Sequence, residues 1–420
     1  MGYALGFGFA ILLIIGLPIG IALALSSMIG LEFFSNVPLE ISAQRMIAGI
    51  RNFPLLAIPL YILAGALMNA SGITQRLIDF AYVLVGSIRG GLGHVTVVTT
   101  AIFGGISGSQ VADTSSVGRI MIPQMIQRGY SPRYAVSLMA TAGAMFVTIP
   151  PSINLIVYGV LAQTSIADLF FYGLIIGVAF VVALLVVGYV VAVVKKQPAE
   201  ARANRQQIWT ALRRALWSLI LPVVIIGGIR IGAFTPTEGG AVAVILAVII
   251  GFVLHRELTW KKLTRALVES AVLVGVIMLV ISAAQIYSWA LVSGQIPQAI
   301  SSALLAVTDN PLLILLLINI LILVIGAVME GNAALIVFVP LLLPVATAVG
   351  IDPVHLGLIM VVNLGIGLLT PPVGLCLLVS AKIGKITVSQ AIPAMLPWFG
   401  LCLVFLGAVT YLPVLFGWFA

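Results

Sequence analysis

Two acidic residues, Asp113 and Glu330, lie in strongly apolar parts of the sequence beside short polar segments, Ser107–Gln110 and Gly331–Asn332. The chain has 420 residues, of which 62% are hydrophobic and 8% charged. A carboxylate in such surroundings is costly, and it indicates a functional role. Carboxylate, hydroxyl and amide oxygens are suited to binding a small cation or an organic anion. A third acid, Glu238, is explained as a helix cap at least as well as an ion ligand.

Two proline pairs, Pro150-Pro151 and Pro371-Pro372, interrupt apolar segments. Each proline lacks a backbone N–H and displaces an earlier carbonyl, so these breaks free carbonyl oxygens unless they are only kinks. Half-helix N-termini suit anions, whereas C-termini and freed carbonyls suit Na⁺. The predicted cation ligands, in at least two sites, are Ser107, Ser109, Asp113, Thr148, Ser152, Gly326, Glu330, Asn332, Gly367 and Thr370. The predicted substrate-binding residues are Ser107, Gly108, Pro151, Asn154, Asn332 and Pro372.

These residues belong to a passage that occurs twice, 221 positions apart. Gly105–Ser152 aligns without a gap onto Gly326–Val373, and every proline of the first copy falls on a proline of the second. Each copy predicts a re-entrant helical hairpin, at about Gly93–Gln127 and Leu312–Ala348, followed by a proline-broken transmembrane helix. Paired broken helices in two halves of a membrane protein are the best sequence indication of a transport site.

The composition indicates an all-α polytopic membrane protein, because roughly a quarter of the residues of a soluble domain are charged. Runs such as Leu169–Val194 fit helices that cross about 30 Å of hydrocarbon. The short alternating segments of a transmembrane barrel are absent. The N-terminal run is predicted to be one span, Leu5–Ile29, and not a cleaved signal. Basic residues lie mainly in short connections, which indicates membrane orientation and not nucleic-acid binding.

Charge bias predicts that the two copies are inverted across the membrane. The basic stretch Lys195–Arg214 is placed in the cytoplasm, and the turn Arg128–Arg133 is cationic whereas its counterpart Val349–Val354 is not. Leu258–Ser270 is predicted to be an interfacial amphipathic helix, and Arg76–Ile88 to lie at the surface or, alternatively, to cross. The expected units are a first repeat at 1–194 (scaffold 1–90, hairpin and broken helix 91–194), a basic loop and connecting helix at 195–235, and a second repeat at 236–420 (scaffold 236–309, hairpin and broken helix 310–420).

One alternative is an enzyme. Gly105–Gly108 matches the GxSG pattern around the nucleophile of rhomboid-type intramembrane serine proteases. Such an enzyme needs a histidine within hydrogen-bond reach of Ser107. The three histidines of the chain fall near the predicted ends of spans, so the sequence disfavours this function.

Five short motifs occur in order along the chain: SGSQVAD at 107–113, MIP at 121–123, IPPS at 149–152, FTPTE at 234–238 and TPPVGL at 370–375. With them the chain resembles, from end to end, the large membrane (M, DctM-type) subunit of tripartite ATP-independent periplasmic (TRAP) transporters, in the ion-transporter superfamily. The resemblance implies Na⁺-driven import of a small organic acid, such as a sialic acid or a C4-dicarboxylate, across the bacterial inner membrane.

The same resemblance implies an elevator mechanism, in which the hairpins and broken helices move as a transport domain against a fixed scaffold. It also implies two partners, a small four-helix membrane subunit (Q-type) and a periplasmic substrate-binding protein (P-type). A stand-alone Na⁺- or H⁺-coupled organic anion symporter of the same superfamily is the alternative within transport.

Overall fold

The computed structural model describes residues 2–34, 38, 40–199, 202–299, 302, 308, 310–371 and 374–418. Within these residues all regular structure is helical, as the composition predicts. The helices of the first half are α1 (Gly2–Ile14), α2 (Ile19–Phe34), α3 (Glu40–Ile50), α4 (Ala57–Ala70), α5 (Ile73–Val85), α6 (Gly91–Ser107), α7 (Gln110–Gln127), α8 (Pro132–Met145), α9 (Ile153–Ala162) and α10 (Ile166–Val194). Those that follow are α11 (Arg205–Arg230), α12 (Pro236–Ile249), α13 (Trp260–Ser293), α14 (Pro311–Gly326), α15 (Gly331–Ala348), α16 (Pro353–Gly367), α17 (Leu375–Gly384) and α18 (Val388–Phe416).

Eight helical segments of the described chain are long and apolar enough to cross a membrane. They are Phe53–Ala70, Pro132–Ala162, Ile166–Val194, Arg205–Arg230, Pro236–Leu254, Trp260–Ser293, Gly331–Ala348 and Val388–Phe416. Helix α10 has 29 residues, a length of about 44 Å, which exceeds the roughly 30 Å hydrocarbon core. Helix α5 has 13 residues, about 20 Å, so a surface position fits its length better than a crossing.

The N-terminal run is two helices and not one span. Gly16, with a φ of 91°, and Pro18, which cannot donate a helical hydrogen bond, separate α1 from α2. The two helices fold back on each other, since a Cβ on Gly30 would lie 2.8 Å from Leu5 Cδ2. The prediction of a single span over Leu5–Ile29 is therefore wrong.

The first hairpin is formed by α6 and α7, which run antiparallel. Thr96 Oγ1, near the start of α6, donates to Met125 Sδ, near the end of α7, at 3.5 Å. Helix α6 ends where Gly108 takes a left-handed φ of 62°, a conformation that favours glycine. The prediction of two helices with a tight tip within Gly93–Gln127 is confirmed.

The span after this hairpin is broken, as the proline pair predicts. Helix α8 ends at Met145, one 3₁₀ turn covers Phe146–Thr148, and α9 begins at Ile153. Pro150 and Pro151 lie in the gap, where helical hydrogen bonds are interrupted.

The second half repeats these helix boundaries. Helices α7 and α15 each have 18 residues and begin 221 positions apart, as do α8 and α16. Helices α17 and α18 begin 222 positions after α9 and α10, so one extra residue enters at the second break. The opposite orientation of the two halves across the membrane stays a prediction.

Two segments in the middle of the chain differ from expectation. The basic stretch Lys195–Arg214 is not wholly a loop, because α11 already begins at Arg205. Asn204 caps this helix: its Oδ1 accepts from Gln207 N at 2.7 Å. Leu258–Ser270 is not a separate interfacial helix but leads into α13, a continuous helix of 34 residues and about 51 Å.

Candidate functional site

The tip of the first hairpin holds a buried carboxylate. Asp113, in the first turn of α7, is 3% exposed, and it accepts a hydrogen bond from Ser107 Oγ at the end of α6. Ser107 Oγ accepts in turn from the backbone N–H of Ser109 at 3.2 Å. No basic side chain of the described residues lies within ion-pair distance of Asp113, and Arg119 is exposed on the same helix. We call Ser107, Ser109 and Asp113 the first tip cluster; its carboxylate has no counter-charge in the described part of the chain.

The break of the first helix presents backbone carbonyls to this hairpin. A Cβ on Gly105 would lie 3.1 Å from Pro150 O, and a Cβ on Gly108 would lie 3.0 Å from Pro151 O. Both approaches are tighter than ordinary contacts, so glycine allows the tip to reach the break. Among the described residues no donor bonds to either proline carbonyl, because the helix resumes only beyond them. The break therefore offers two carbonyl oxygens to a ligand.

A third carbonyl converges with Asp113. A Cβ on Gly104 would lie 3.1 Å from Phe146 O and 3.6 Å from Asp113 Oδ2. Phe146 O accepts one hydrogen bond, from Ile149 N at 3.0 Å, which leaves its second lone pair available. Carboxylate, hydroxyl and carbonyl oxygens in one place form the ligand set that hard cations prefer.

The side-chain hydroxyls of two predicted ligands near this break have other hydrogen-bond partners. Thr148 Oγ1 lies 3.4 Å from Met145 O, to which it donates, and 3.2 Å from the position of a Cβ on Gly177 of α10. Ser152 Oγ caps α9 by accepting from Leu155 N at 3.4 Å. The structure therefore does not bring the Thr148 hydroxyl to the first tip cluster, and it engages the Ser152 hydroxyl in a helix cap.

The second hairpin also has a carboxylate at its tip. Glu330 is the N-cap of α15: its Oε2 accepts from Asn332 N at 3.1 Å and from Ala333 N at 3.3 Å. Its Oε1 accepts from Asn332 Nδ2 at 2.9 Å. A negative charge is favourable at the positive end of a helix. The predicted ligands Glu330 and Asn332 are thus brought together as the second tip cluster.

The remaining predicted ligands lie along the second break. Gly326 and Gly367 meet backbone to backbone, since a Cβ on Gly367 would lie 2.5 Å from the Cα and the carbonyl oxygen of Gly326. Thr370 Oγ1 donates to Ile366 O at 2.9 Å. Pro372, a predicted substrate-binding residue, lies outside the described residues.

The two halves of the chain meet at Asn154. This residue is 2% exposed, and its Nδ2 has no hydrogen-bond partner among the described residues. A Cβ on Gly331, at the start of α15, would lie 2.8 Å from Asn154 Nδ2 and 3.9 Å from Gln110 Oε1. Gln110 Nε2 donates to Ala144 O at 2.7 Å, and Asn332 Oδ1 also lacks a partner among the described residues. This place, which we call the junction, has a buried amide donor, that of Asn154, without a partner in the described part of the chain.

A cavity of about 230 Å³ adjoins the first tip cluster. Ser107 and Ser109 line it together with Asn69 of α4, Ser116 of α7 and Glu269 of α13. Asn69 Nδ2 donates to Ser116 Oγ at 3.4 Å, so a polar contact joins α4 to the hairpin. The cavity gives the first tip cluster space for a ligand on the side of α4 and α13.

Sequence reasoning did not select Gln110, Asn69 or Glu269 as site residues. Gln110 belongs to the first tip, and its repeat position is Gly331, so the difference between the copies was a usable signal. Asn69 and Glu269 are polar residues near the ends of apolar runs, a pattern shared by many interfacial residues. Only the packing of α4 and α13 against the hairpin identifies them.

The structure also decides two alternatives. Glu238 is a helix cap, because its Oε2 accepts from Thr235 N at 2.7 Å in a capping box. Ser107 donates to Asp113 and lacks the histidine base of a serine nucleophile. The histidine ring nitrogens instead contact backbone carbonyls, His94 that of Arg89 at 3.2 Å, His255 that of Ser71 at 3.3 Å and His355 that of Val409 at 2.9 Å.

Helical hairpins that meet broken helices in an all-helical membrane chain are typical of membrane transporters. The comparisons with known proteins identify the family. Residues 7–415 match the family model described as "Tripartite ATP-independent periplasmic transporter, DctM component". The chain therefore belongs to the DctM family of TRAP transporters, and it is a transporter permease and not an enzyme.

Individual relatives agree with this assignment. The chain is 39% identical to the sialic acid TRAP transporter large permease protein SiaM of Vibrio cholerae, over 98% of both chains. It is 39% identical to the C4-dicarboxylate TRAP transporter large permease protein DctM of Pseudomonas aeruginosa, over 93% of this chain and 92% of that one. It is 38% identical to the isethionate TRAP transporter permease protein DctMQ of Oleidesulfovibrio alaskensis, over 98% of this chain and 65% of that protein.

A solved structure shares the fold. The crystal structure of the Alcanivorax borkumensis YdaH transporter matches with a TM-score of 0.66 and 16% sequence identity, over 90% of this chain and 89% of that chain. At this identity the match shows a common helical architecture.

Proposed function

We propose that this chain is the membrane-embedded transport subunit of a Na⁺-coupled TRAP transporter that imports a small organic acid. The observation that carries the proposal is the first tip cluster beside the first break. There the buried carboxylate of Asp113 lies near the carbonyls of Pro150 and Pro151, and within the described chain it has no counter-charge and they have no donor. A negatively charged set of hard oxygens in an apolar membrane protein favours a small cation.

We place the organic acid at the junction. Asn154 Nδ2 is a buried donor that has no partner among the described residues, and such a group becomes satisfied when it donates to a carboxylate. The nearby carboxylates of Asp113 and Glu330 repel an organic anion unless each has bound a cation. Na⁺ at the two tip clusters therefore raises the affinity for the substrate, and the substrate raises the affinity for Na⁺ by the same factor. This reciprocity is a physical basis for coupled transport.

For the movement, we propose that both hairpins and both broken helices shift together against the scaffold. The bond between Asn69 and Ser116 and the adjoining cavity lie between scaffold helices α4 and α13 and the first hairpin, where a sliding movement breaks contacts. Ala70 O, at the end of α4, accepts from Lys262 Nζ at 3.3 Å. Asn69, the residue before Ala70, lines the cavity, so the cavity lies at this basic end of α4. Because this end is expected in the cytoplasm, we assign the conformation to the inward-facing state.

The names of the relatives support the proposed partners. A "large permease protein" has a smaller counterpart, and the DctMQ relative is a longer chain than this one. We propose a small four-helix membrane subunit and a periplasmic substrate-binding protein as partners, with the complex in the bacterial inner membrane. The substrate class, a carboxylate such as sialic acid or a C4-dicarboxylate, follows the names of two relatives.

The test is uptake into liposomes that hold this chain and its small partner, with a binding protein and radiolabelled candidate acids outside. We expect uptake that is driven by an inward Na⁺ gradient and lost when K⁺ replaces Na⁺. Ser109→Ala and Thr370→Ala should shift the Na⁺ dependence, whereas Thr347→Ala, an exposed hydroxyl bonded to Leu343 O, should not. Uptake that is indifferent to Na⁺, or an unchanged Na⁺ dependence in both site variants, would contradict the proposal.

A stand-alone symporter makes a different prediction for the same liposomes. Uptake by this chain alone, at the rate of the complete system, would contradict the proposed partners and favour that alternative. We expect no uptake until the small subunit and the binding protein are added.

A further inference from the structure

We infer that the groove between α5 and α11 binds the phosphodiester headgroup of an anionic phospholipid. Two adjoining cavities of about 750 and 600 Å³ share Asp79, Thr210 and Arg214 in their walls. We call them together the basic groove. It shares no lining residue with the cavity beside the first tip cluster, so it is a separate site.

The groove has an excess of positive charge. Its walls contain four arginines and two carboxylates, namely Arg76, Arg202, Arg213 and Arg214 with Asp79 and Glu257. Arg76 is already engaged, because its guanidinium lies 2.6 Å from Glu257 Oε1. Neither Arg213 nor Arg214 forms an ion pair with a carboxylate of the described chain. These two guanidinium groups are therefore available to phosphate oxygens, which match the planar donor geometry of arginine.

The groove also lies at the depth of lipid headgroups. Helix α11 carries three arginines between Arg205 and Arg214, and no charged residue from Ala215 to Ile229. Two indole side chains line the groove on either side of the arginine pair, Trp209 at 67% and Trp217 at 43% exposure. Tryptophan is enriched where a helix passes from water into hydrocarbon. The free arginines therefore sit at the membrane–water boundary.

Charge and depth together favour a lipid over a soluble anion or a protein segment. Basic pockets between membrane helices on the cytoplasmic side bind anionic headgroups. Each cavity also falls within the range of about 300–1,000 Å³ that is typical of ligand pockets. An arginine near a membrane surface raises affinity for anionic lipid about fivefold, so the pair should give about a 30-fold preference over a zwitterionic headgroup.

The test uses the full chain in phosphatidylcholine vesicles that contain increasing fractions of dibrominated phosphatidylglycerol, which quenches nearby tryptophan. Dibrominated phosphatidylcholine with the same acyl chains is the matched lipid. The quenching that is lost in the variant Trp209→Phe/Trp217→Phe comes from the two indoles of the basic groove, and we call it the groove signal. We expect the groove signal to report a phosphatidylglycerol preference near 30-fold, which falls to near one in Arg213→Gln/Arg214→Gln.

The control variant Arg205→Gln/Lys261→Gln removes the same charge outside the groove and should keep the preference. Each single substitution, Arg213→Gln or Arg214→Gln, should lose about fivefold, which keeps the test decisive if the double variant does not fold. Equal loss in the control and groove variants would overturn the inference. So would displacement of the lipid by millimolar inorganic phosphate, which indicates a soluble-anion site, or by the small membrane subunit, which indicates a protein interface.

Discussion

The contact between Gly326 and Gly367 fixes the second hairpin against the second broken helix, and Gly367→Ala tests it. The new Cβ would lie 2.5 Å from the Cα and the carbonyl oxygen of Gly326, whereas ordinary contact begins at 3.4 Å. The obstacle is backbone, which cannot rotate away as a side chain does. Helices α14 and α16 must therefore separate by about 1 Å, and overpacking of this kind costs about 1–3 kcal/mol.

Thermal unfolding of the purified chain, followed by intrinsic fluorescence, measures this cost. For a chain of 420 residues this cost should lower the unfolding midpoint of Gly367→Ala by about 1–3 °C. Gly400→Ala is the matched control, because nothing lies within 4 Å of its Cβ position in α18. Alanine should stabilise that helix by about 0.5–1 kcal/mol relative to glycine. If both variants unfold at or above the wild-type midpoint, the backbone contact does not exist as described.

Three further predictions concern single polar residues. Asn319→Ala should cost about 1–3 kcal/mol in thermal unfolding, because its Nδ2 donates to Thr410 Oγ1 at 3.0 Å in a buried network; an unchanged midpoint would refute this. Asn154→Leu should raise the unfolding midpoint, since it removes a buried amide donor that lacks a partner in the described chain. The same variant should abolish uptake, and full uptake would show that Asn154 does not bind the substrate. Burial, and then the charge of Arg76, lower the pKa of His255 from its usual 6.5, so the unfolded chain takes up the proton more readily. Stability should therefore decline as pH falls below 6.5. In thermal unfolding measured across pH, His255→Gln should make that decline shallower. An identical pH profile in the variant would show that His255 does not contribute to the decline.

The helix boundaries of the repeated passage could be predicted from the sequence, because they depend on local chemistry. Glycine and proline interrupt helices wherever they occur, so the tip at Gly108 and the break at Pro150 and Pro151 were visible without the fold. The single predicted N-terminal span failed for the same local reason. Gly16 and Pro18 carry a break that the high hydrophobicity of the run concealed.

The composition of the site could be predicted only in part. Spacing placed Ser107 near Asp113, since both flank one tight turn. The approach of Asn154 to Gly331 joins residues from different halves of the chain, and no local pattern encodes such a contact. The side chain of Thr148 was assigned to the site because of its position beside the break, but packing against α10 decides its direction.

The central claim is that the first tip cluster binds the coupling cation, and the Na⁺ concentration that gives half-maximal uptake tests it most directly. The measurement compares Asp113→Asn with Asp168→Asn, which neutralises a half-exposed carboxylate at the start of α10, in liposomes with both partners. The account predicts that Asp113→Asn raises this concentration at least about tenfold, equivalent to about 1.4 kcal/mol, whereas Asp168→Asn leaves it unchanged. An unchanged Na⁺ dependence in Asp113→Asn, with uptake retained, would contradict it.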